Sequence, residues 1–368
     1  MTSRFILTIT SISLFVVLLS LAYAISQNQP SKTASETPPH ITTPRPTVKS
    51  TPFPKLTLNT IFEPNKQAIK SIPESKTITI TATGDVMLGR SVNYSTLSSQ
   101  DFDWAFRNIK TLLGTSDVTL INLEGTLLST CQPTNQGMKF CGDSSHSLGL
   151  SKAGIDIANL ANNHSADFGE SGLNETLKAL GDSNIKATGL GSPTYIKVKN
   201  TTISFVGFNS IYPYSSNISW ASPETVALQI QDAKSSSNIT IASFHWGTEY
   251  AINPNENQKS LAHLAIDSGA DAVIGHHPHW IQPIELYKGK PIFYSLGNFI
   301  FDQMWSQKTT EGLVSALTFF DGQLVDINLT PVVIEDYGQP SIPNPKDFER
   351  IINYVKEAST ALTPLDNN

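Results

Sequence analysis

The chain has 368 residues, 39% hydrophobic and 15% charged, enough to bury the core of one large domain or two small ones. A net charge of −6 with no run of Lys and Arg argues against a nucleic-acid partner, which needs clustered cations for phosphate contacts. Two cysteines, Cys131 and Cys141, are too few for a disulfide scaffold or a four-thiolate metal site.

Arg4 precedes an apolar, uncharged stretch over residues 5–25, close to the ~20 residues that span a bilayer. A basic residue on the short amino side keeps that end cytoplasmic and predicts export of the remainder of the chain. Ala22-Tyr23-Ala24 is a small-x-small cleavage signature, which reads as a signal peptide. The length of the apolar run reads equally as an uncleaved signal anchor. The expected location is therefore the cell membrane, single-pass with the domain outside, or secretion after cleavage at Ala24. Residues 26–75 form a Pro-, Thr- and Ser-rich tether and lead-in, too polar to offset its conformational entropy by burial.

After residue 76 the texture changes. Residues 77–83 alternate Thr with Ile and Ala, a period-two strand ending at Gly84-Asp85. Residues 117–123 read as a buried strand ending at Glu124. Residues 150–160 read as a helix running into a short strand that ends at Asn162-Asn163-His164. A strand over 203–208, a helix over 224–233 and a strand over 239–244 ending at His245 come next. Residues 256–268 read as a helix stopped by Gly269, and 271–274 as a strand ending at His276-His277-Pro278-His279. Lys288-Gly289 and Asp321-Gly322 mark hairpins between apolar strands. The alternation predicts an α/β domain over 76–335 with antiparallel closing strands. A C-terminal tail over 336–368 carries an amphipathic helix near 347–361.

The unusual polar residues share one placement. Asp85, Glu124, Asn163, His164, His245, His277 and His279 all come just after predicted strands, and α/β sheets bind ligands beyond the carboxyl ends of their strands. Carboxylate, amide oxygen and imidazole together suit one or two divalent ions of borderline character, zinc, manganese or iron. Taken singly, Gly-Asp reads as a turn and Asn-Asn-His as a capped loop; three histidines within four residues are harder to ascribe to packing. Cys131 and Cys141 bracket a loop and can pair in an oxidising compartment.

The runs Thr83-Gly84-Asp85-Val86-Met87-Leu88-Gly89-Arg90, Asn122-Leu123-Glu124-Gly125 and Leu160-Ala161-Asn162-Asn163-His164-Ser165-Ala166-Asp167-Phe168-Gly169 resemble motifs of the CapA family of poly-γ-glutamate capsule proteins. So do His245-Trp246-Gly247-Thr248-Glu249-Tyr250, Gly275-His276-His277-Pro278-His279 and Tyr294-Ser295-Leu296-Gly297-Asn298-Phe299. That family is similar to the calcineurin-like metallophosphatases, which implies a four-layer α/β/β/α sandwich and a two-metal centre. The resemblance implies one metal position from Glu124, Asn163, His245 and His277. It implies a second from Asp85 and His279 with Glu124 shared, where Met87 replaces an expected histidine ligand. It implies His164 as a proton donor oriented by Asp167 or Asp85, and Arg90 as a contact for an anionic substrate. Glu249, Ser295 and Asn298 are expected to support the ligands or line the pocket. The implied partners are an anionic polymer or phosphorylated substrate, the membrane, and a capsule synthase complex. The implied activity is hydrolysis of a phosphoester or γ-glutamyl amide, with a non-catalytic role in polymer export and assembly as the alternative.

Overall fold

A computed structural model describes residues 56–63, 72–132, 134–212 and 215–362. The apolar segment 1–25 and most of the 26–75 tether lie outside the described residues. Among the described residues no helix is long and apolar enough to cross a membrane.

In chain order the first elements are α1 (Leu58–Phe62), β1 (Thr77–Val86), α2 (Arg90–Ser99), α3 (Lys110–Leu113), β2 (Val118–Leu123), β3 (Thr126–Leu128) and β4 (Cys141–Asp143). Next come α4 (His146–Lys152), β5 (Ile157–Asn159), α5 (Gly169–Asp182), β6 (Lys186–Thr188), β7 (Thr194–Val198), β8 (Thr201–Asn209) and α6 (Pro223–Ser235). The chain continues through β9 (Ile239–His245), α7 (Glu256–Ser268), β10 (Ala272–His276), β11 (Ile284–Tyr287), β12 (Lys290–Phe293) and β13 (Asn298–Ile300). Last are β14 (Glu311–Phe320), β15 (Gln323–Glu335), β16 (Gln339–Ser341) and α8 (Pro345–Leu362).

The fold is mixed α/β. One sheet runs β16-β15-β14-β1-β2-β5-β6, with β13 also pairing β1; a second runs β11-β12-β10-β9-β8-β7. The inner pairs β1–β2–β5–β6 and β8–β9–β10–β12 are parallel, so their carboxyl ends share an edge in each sheet. Strands buried on both faces need apolar residues at successive positions. Leu120 accordingly joins a cluster with Ile80, Ile157, Ile203, Ile241 and Ile274, drawn from both sheets. Its neighbour Ile121 points the other way, into a cluster with Val92, Leu150, Leu173 and Leu180 of the helices. On the second sheet Val206, Ala242 and Val273 pack with Ile230 and Ala265 of α6 and α7.

Three sequence expectations change. The first strand does not stop at Gly84-Asp85 but continues to Val86, with shifted register against β2 after Ala82. Gly84 is there for close approach: a Cβ would lie 2.2 Å from the Gly297 carbonyl oxygen. Residues 58–62 form a helix capped by Thr57 rather than an extended lead-in. The helix expected from residue 150 instead spans His146–Lys152 and ends before β5, whereas the expected amphipathic terminal helix is present and packs on the core through Ile351 and Val355. The hairpins at Lys288-Gly289 (φ 51 and 76°) and Asp321-Gly322 (φ 49 and 75°) have the paired positive φ of a tight type I′ turn. The Asn255–Gln258 capping box and the left-handed Gly269 (φ 119°) bound α7.

His146, at the start of α4, is fully enclosed, with Nε2 3.1 Å from Asn93 Oδ1. Burial pushes its pKa from the ordinary 6.5 down to about 4, against the attraction of Asp143. The folded protein therefore keeps this ring neutral while the unfolded chain takes up a proton below pH 6.5. Its stability contribution is complete above that pH and lost as pH falls towards 4, amounting to about 2 kcal/mol at pH 5. His146→Gln keeps a donor for Asn93 and removes the titration. The loss of urea stability between pH 7 and pH 5 is expected to shrink by that amount in the variant; an unchanged loss would refute this assignment.

Candidate metal centre

Parallel pairing sets the site. Asp85 is opposite Asn122 on one side and Asn298 on the other, and Asn122 is opposite Asn159. In the second sheet His245 is paired with His276. The carboxyl ends of β1, β2, β5, β9 and β10 thus deliver side chains to one place. Asp85, Glu124 and His245 bring ligand atoms within 4.8 Å of one another, and so do Glu249, His277 and His279.

Asp85 is the hub. Its Oδ1 accepts from Asn122 Nδ2 at 2.9 Å and faces His276 Nδ1 at 3.2 Å. Its Oδ2 accepts the His277 backbone N–H at 3.2 Å and faces His279 Nδ1 at 3.1 Å. Burial alone would raise this carboxyl, but the two histidines outweigh it and hold the pKa well below the usual range.

His245 is clamped between two amides. Asn122 Nδ2 lies 3.3 Å from Nδ1, and Nε2 lies 2.8 Å from Asn163 Oδ1. Burial, reinforced by His277, drives its pKa well below 6.5, so the ring is neutral. With Nδ1 accepting from Asn122, Nε2–H donates to Asn163. Asn122 is in turn fixed by Asn159 and Asn162, whose amide groups donate to its Oδ1 at 3.2 and 3.3 Å. His279 donates Nδ1–H to Asn298 Oδ1 at 2.9 Å. That orientation is set because Asn298 Nδ2 donates to Gln303 Oε1 and to the Thr309 carbonyl. Burial would lower His279, yet the charges of Glu124 and Asp85 lift its pKa to about 9. Burial takes His277 down to about 3, with His279 adding to the effect.

Glu124 stands apart. It is 1% exposed, and neither carboxylate oxygen has a hydrogen-bond partner among the described residues. Burial raises its pKa well above the usual range, with Asp85 and Glu249 adding to the effect against His279 and Arg90. A buried carboxylate without partners is costly unless a cation completes it. The donor set fits a borderline divalent ion: Glu124 and Asp85 oxygens, the Asn163 amide oxygen, and three imidazoles.

His164 flanks this cluster. Its Nε2 is 3.9 Å from Glu124 Oε1, and Nδ1 is 2.8 Å from Asp167 Oδ2. The carboxylate facing the ring is therefore Asp167, not Asp85. Asp167 Oδ2 also accepts the Phe140 N–H at 2.7 Å, and the Phe140 ring stacks on His164 with centroids 3.9 Å apart. Phe140 adjoins Cys141, which is joined to Cys131 by a disulfide. The Arg90 guanidinium lies 4.6 Å from the centroid of the same Phe140 ring and is ion-paired with Asp302. Its charge still reaches Glu124.

One expected contributor, Ser295, is placed otherwise, and Met87 is no ligand, as its thioether implied. Ser295 is buried and its Oγ accepts the Gly297 N–H at 3.1 Å, shaping the turn before β13. Met87 turns into a cluster with Phe140, Phe301 and Ile334, its Sδ 3.0 Å from the Gly89 nitrogen. Asn122, Asn159 and His276 were not among the sequence candidates. The only signal for the first two was an asparagine near the end of each of two adjacent apolar strands.

The family description "Bacterial capsule synthesis protein PGA_cap" matches residues 79–303, from the middle of β1 to beyond β13. The chain belongs to this family. Every site residue from Asp85 to Asn298 falls within the PGA_cap match. Similar family members include "Capsule biosynthesis protein CapA" of Bacillus anthracis, 28% identical over 300 residues, covering 76% of this chain and 72% of that one. "PGA biosynthesis protein CapA" of Bacillus subtilis (strain 168) is 33% identical over 248 residues, covering 63% of this chain and 65% of the relative. This match thus spans just under two thirds of the Bacillus subtilis protein. Among solved structures, a novel phosphatase from Mycoplasma pneumoniae aligns at 13% identity and TM-score 0.48, covering 72% of this chain and 95% of that one. That level of likeness carries no argument about chemistry.

Proposed function

We propose that this PGA_cap protein is an extracytoplasmic, metal-dependent hydrolase of the cell envelope. It would cleave a phosphoester or a γ-glutamyl amide in an anionic polymer or phosphorylated substrate. The observation that carries the reading is the buried Glu124 carboxylate, without a hydrogen bond among the described residues, beside Asp85, His245 and the two outer histidines. A divalent ion held there, zinc, manganese or iron, supplies Lewis acidity, acidifying water and polarising the bond to be broken. His164 then holds a proton at Nε2 for the leaving group, with Asp167 keeping Nδ1 protonated. Arg90, stacked on Phe140, adds positive charge beside the site for an anionic substrate.

The architecture belongs to the same proposal. The two large sheets share one apolar cluster and each has a second one with helices, which supports a four-layer α/β/β/α, metallophosphatase-like sandwich. The apolar segment 5–25 and the polar tether support attachment to the membrane, and the names of the relatives support a role in capsule biosynthesis, for which a capsule synthase is the partner we propose.

The test uses the full-length chain loaded in turn with Zn2+, Mn2+ and Fe2+, against a chromogenic phosphodiester and a γ-glutamyl anilide. Metal-dependent turnover of one class, abolished by chelation and restored by the ion, supports the proposal. A metal-replete protein that turns over neither, yet binds polyglutamate, would replace it with the assembly role.

A further inference from the structure

The tryptophans are scattered along the sequence, and the fold gathers Trp280 and Trp305 around Tyr250, beside the ligand cluster. Tyr250 lies in the turn after β9 with φ 60°, and its N–H donates to the Pro278 carbonyl at 2.8 Å. That bond fixes it against the segment that carries His277 and His279. Its ring centroid lies 6.1 Å from that of His279, 6.0 Å from that of Trp280 and 5.9 Å from that of Trp305, which it meets edge to face. Gln303 donates to the Tyr250 hydroxyl at 3.2 Å and accepts from Asn298, the amide that holds His279. The three rings are thus tied to the ligand cage and stand outside it.

Exposure and charge point this wall at a ligand. Trp305 is 63% exposed, which leaves a large apolar face in water beside the site. Lys308 holds its ammonium 4.6 Å from the Trp280 ring centroid and 5.4 Å from that of Tyr354, and no carboxylate pairs with it among the described residues. The other end is acidic, since the exposed Glu249 precedes Tyr250. A bound anion is therefore drawn to the Lys308 end, and the part of it that crosses Tyr250 and Trp305 is uncharged. A polyphosphate has no apolar face to offer those rings. A chain whose carboxylates are spaced by methylenes and flat amide groups offers both the charge and the face.

We infer that Trp305, Tyr250 and Trp280, with Lys308 at their edge, form a subsite for a part of the substrate away from the bond to be cleaved. That part is a carboxylate-bearing chain with amide and methylene stretches between its charges. The inference rests on the anionic polymer proposed above and takes it in its carboxylate form. Binding energy gained on the wall makes the protein select long chains over short ones.

Isothermal titration calorimetry on the metal-free full-length chain, which keeps binding apart from turnover, tests this with γ-linked glutamate octamer, the matching dimer and polyphosphate of equal charge. The octamer is expected to bind more tightly than the dimer and the polyphosphate. Trp305→Ala should lower octamer affinity about tenfold or more, the size of loss expected of a buried aromatic anchor, and Trp305→Phe should recover most of it. Lys308→Gln should weaken the octamer at low salt and converge on the parent at high salt, where charge is screened. Because Trp305 is exposed, its variants should unfold at the parent's temperature and take up the parent's metal content on reloading. Unchanged octamer affinity in Trp305→Ala would overturn the inference and leave the metal centre standing. So would polyphosphate binding that depends on Trp305 as strongly. A parent that binds no octamer would overturn it too, while turnover of the chromogenic substrates by the metal-loaded chain tests hydrolysis separately.

Discussion

Glu124→Ala is expected to strip the protein of its enclosed ion and abolish hydrolysis. The residue supplies two buried oxygens that no other described residue satisfies, so its loss removes a ligand that no neighbour can replace. Affinity should fall by more than the roughly 10–100-fold typical of changes outside the ligand shell. The metal-free form loses the desolvation cost of a buried carboxyl that no hydrogen bond satisfies, and with it the attraction to His279 and His164 at 3.9 Å, so calorimetry without ion is the control for folding. Emission spectroscopy on the purified full-length chain gives the metal content, and calorimetry with and without ion gives the metal-dependent shift. Parent-like metal content together with parent-like turnover in Glu124→Ala would rule out the centre described here.

His164→Ala should separate the proton from the metal. The ring is held by Asp167 and by the Phe140 stack, and it approaches Glu124 no closer than 3.9 Å. Removing it should lower kcat by about 10²–10⁴-fold, the range for a positioned general acid, while leaving metal content at the parent's level. Substrates with very acidic leaving groups need less protonation and should lose correspondingly less. A uniform loss across leaving groups would assign His164 to substrate binding instead, and a loss of metal would make it a ligand. An assembly protein without hydrolytic chemistry would be indifferent to the change.

Much of this site is readable in the sequence, for a physical reason. Parallel strands buried on both faces must be apolar, so the first polar residue after each run is conspicuous and lies at the ligand-binding edge. Asp85, Glu124, Asn163, His245 and the His277–His279 pair were found that way, although Asp85 turned out to lie within β1. The residues that orient them were not. Asn122 and Asn159 lie inside strands, where a lone amide looks like a tolerated polar position; only the pairing register puts them beside Asp85 and each other. Nothing in a one-dimensional pattern says that Met87 turns inward or that Arg90 is paired with Asp302. Helices α2, α3 and α5 were also missed. The inner side of α5 carries Gly172 and Thr176 beside Leu173 and Leu180, and that of α2 carries Asn93 and Thr96, so neither shows a clean apolar stripe.

The cystine near the site has a consequence beyond cross-linking. Phe140 touches Arg90 and His164 through its ring and Asp167 through its backbone, and the next residue is one end of the Cys131–Cys141 bond. Opening that bond removes one tie on the segment on which the histidine leans, leaving it held by the β3–β4 pairing and the Phe140–Asp167 hydrogen bond, while the ligand-bearing strand ends are held by their own sheets. A reduced chain would thus keep its ligand cage but seat the His164 ring less firmly. Protein recovered from a reducing cytoplasm and protein matured in an oxidising one would share a sequence and differ in how firmly that ring is seated, which makes redox history a variable to control in any assay of this protein.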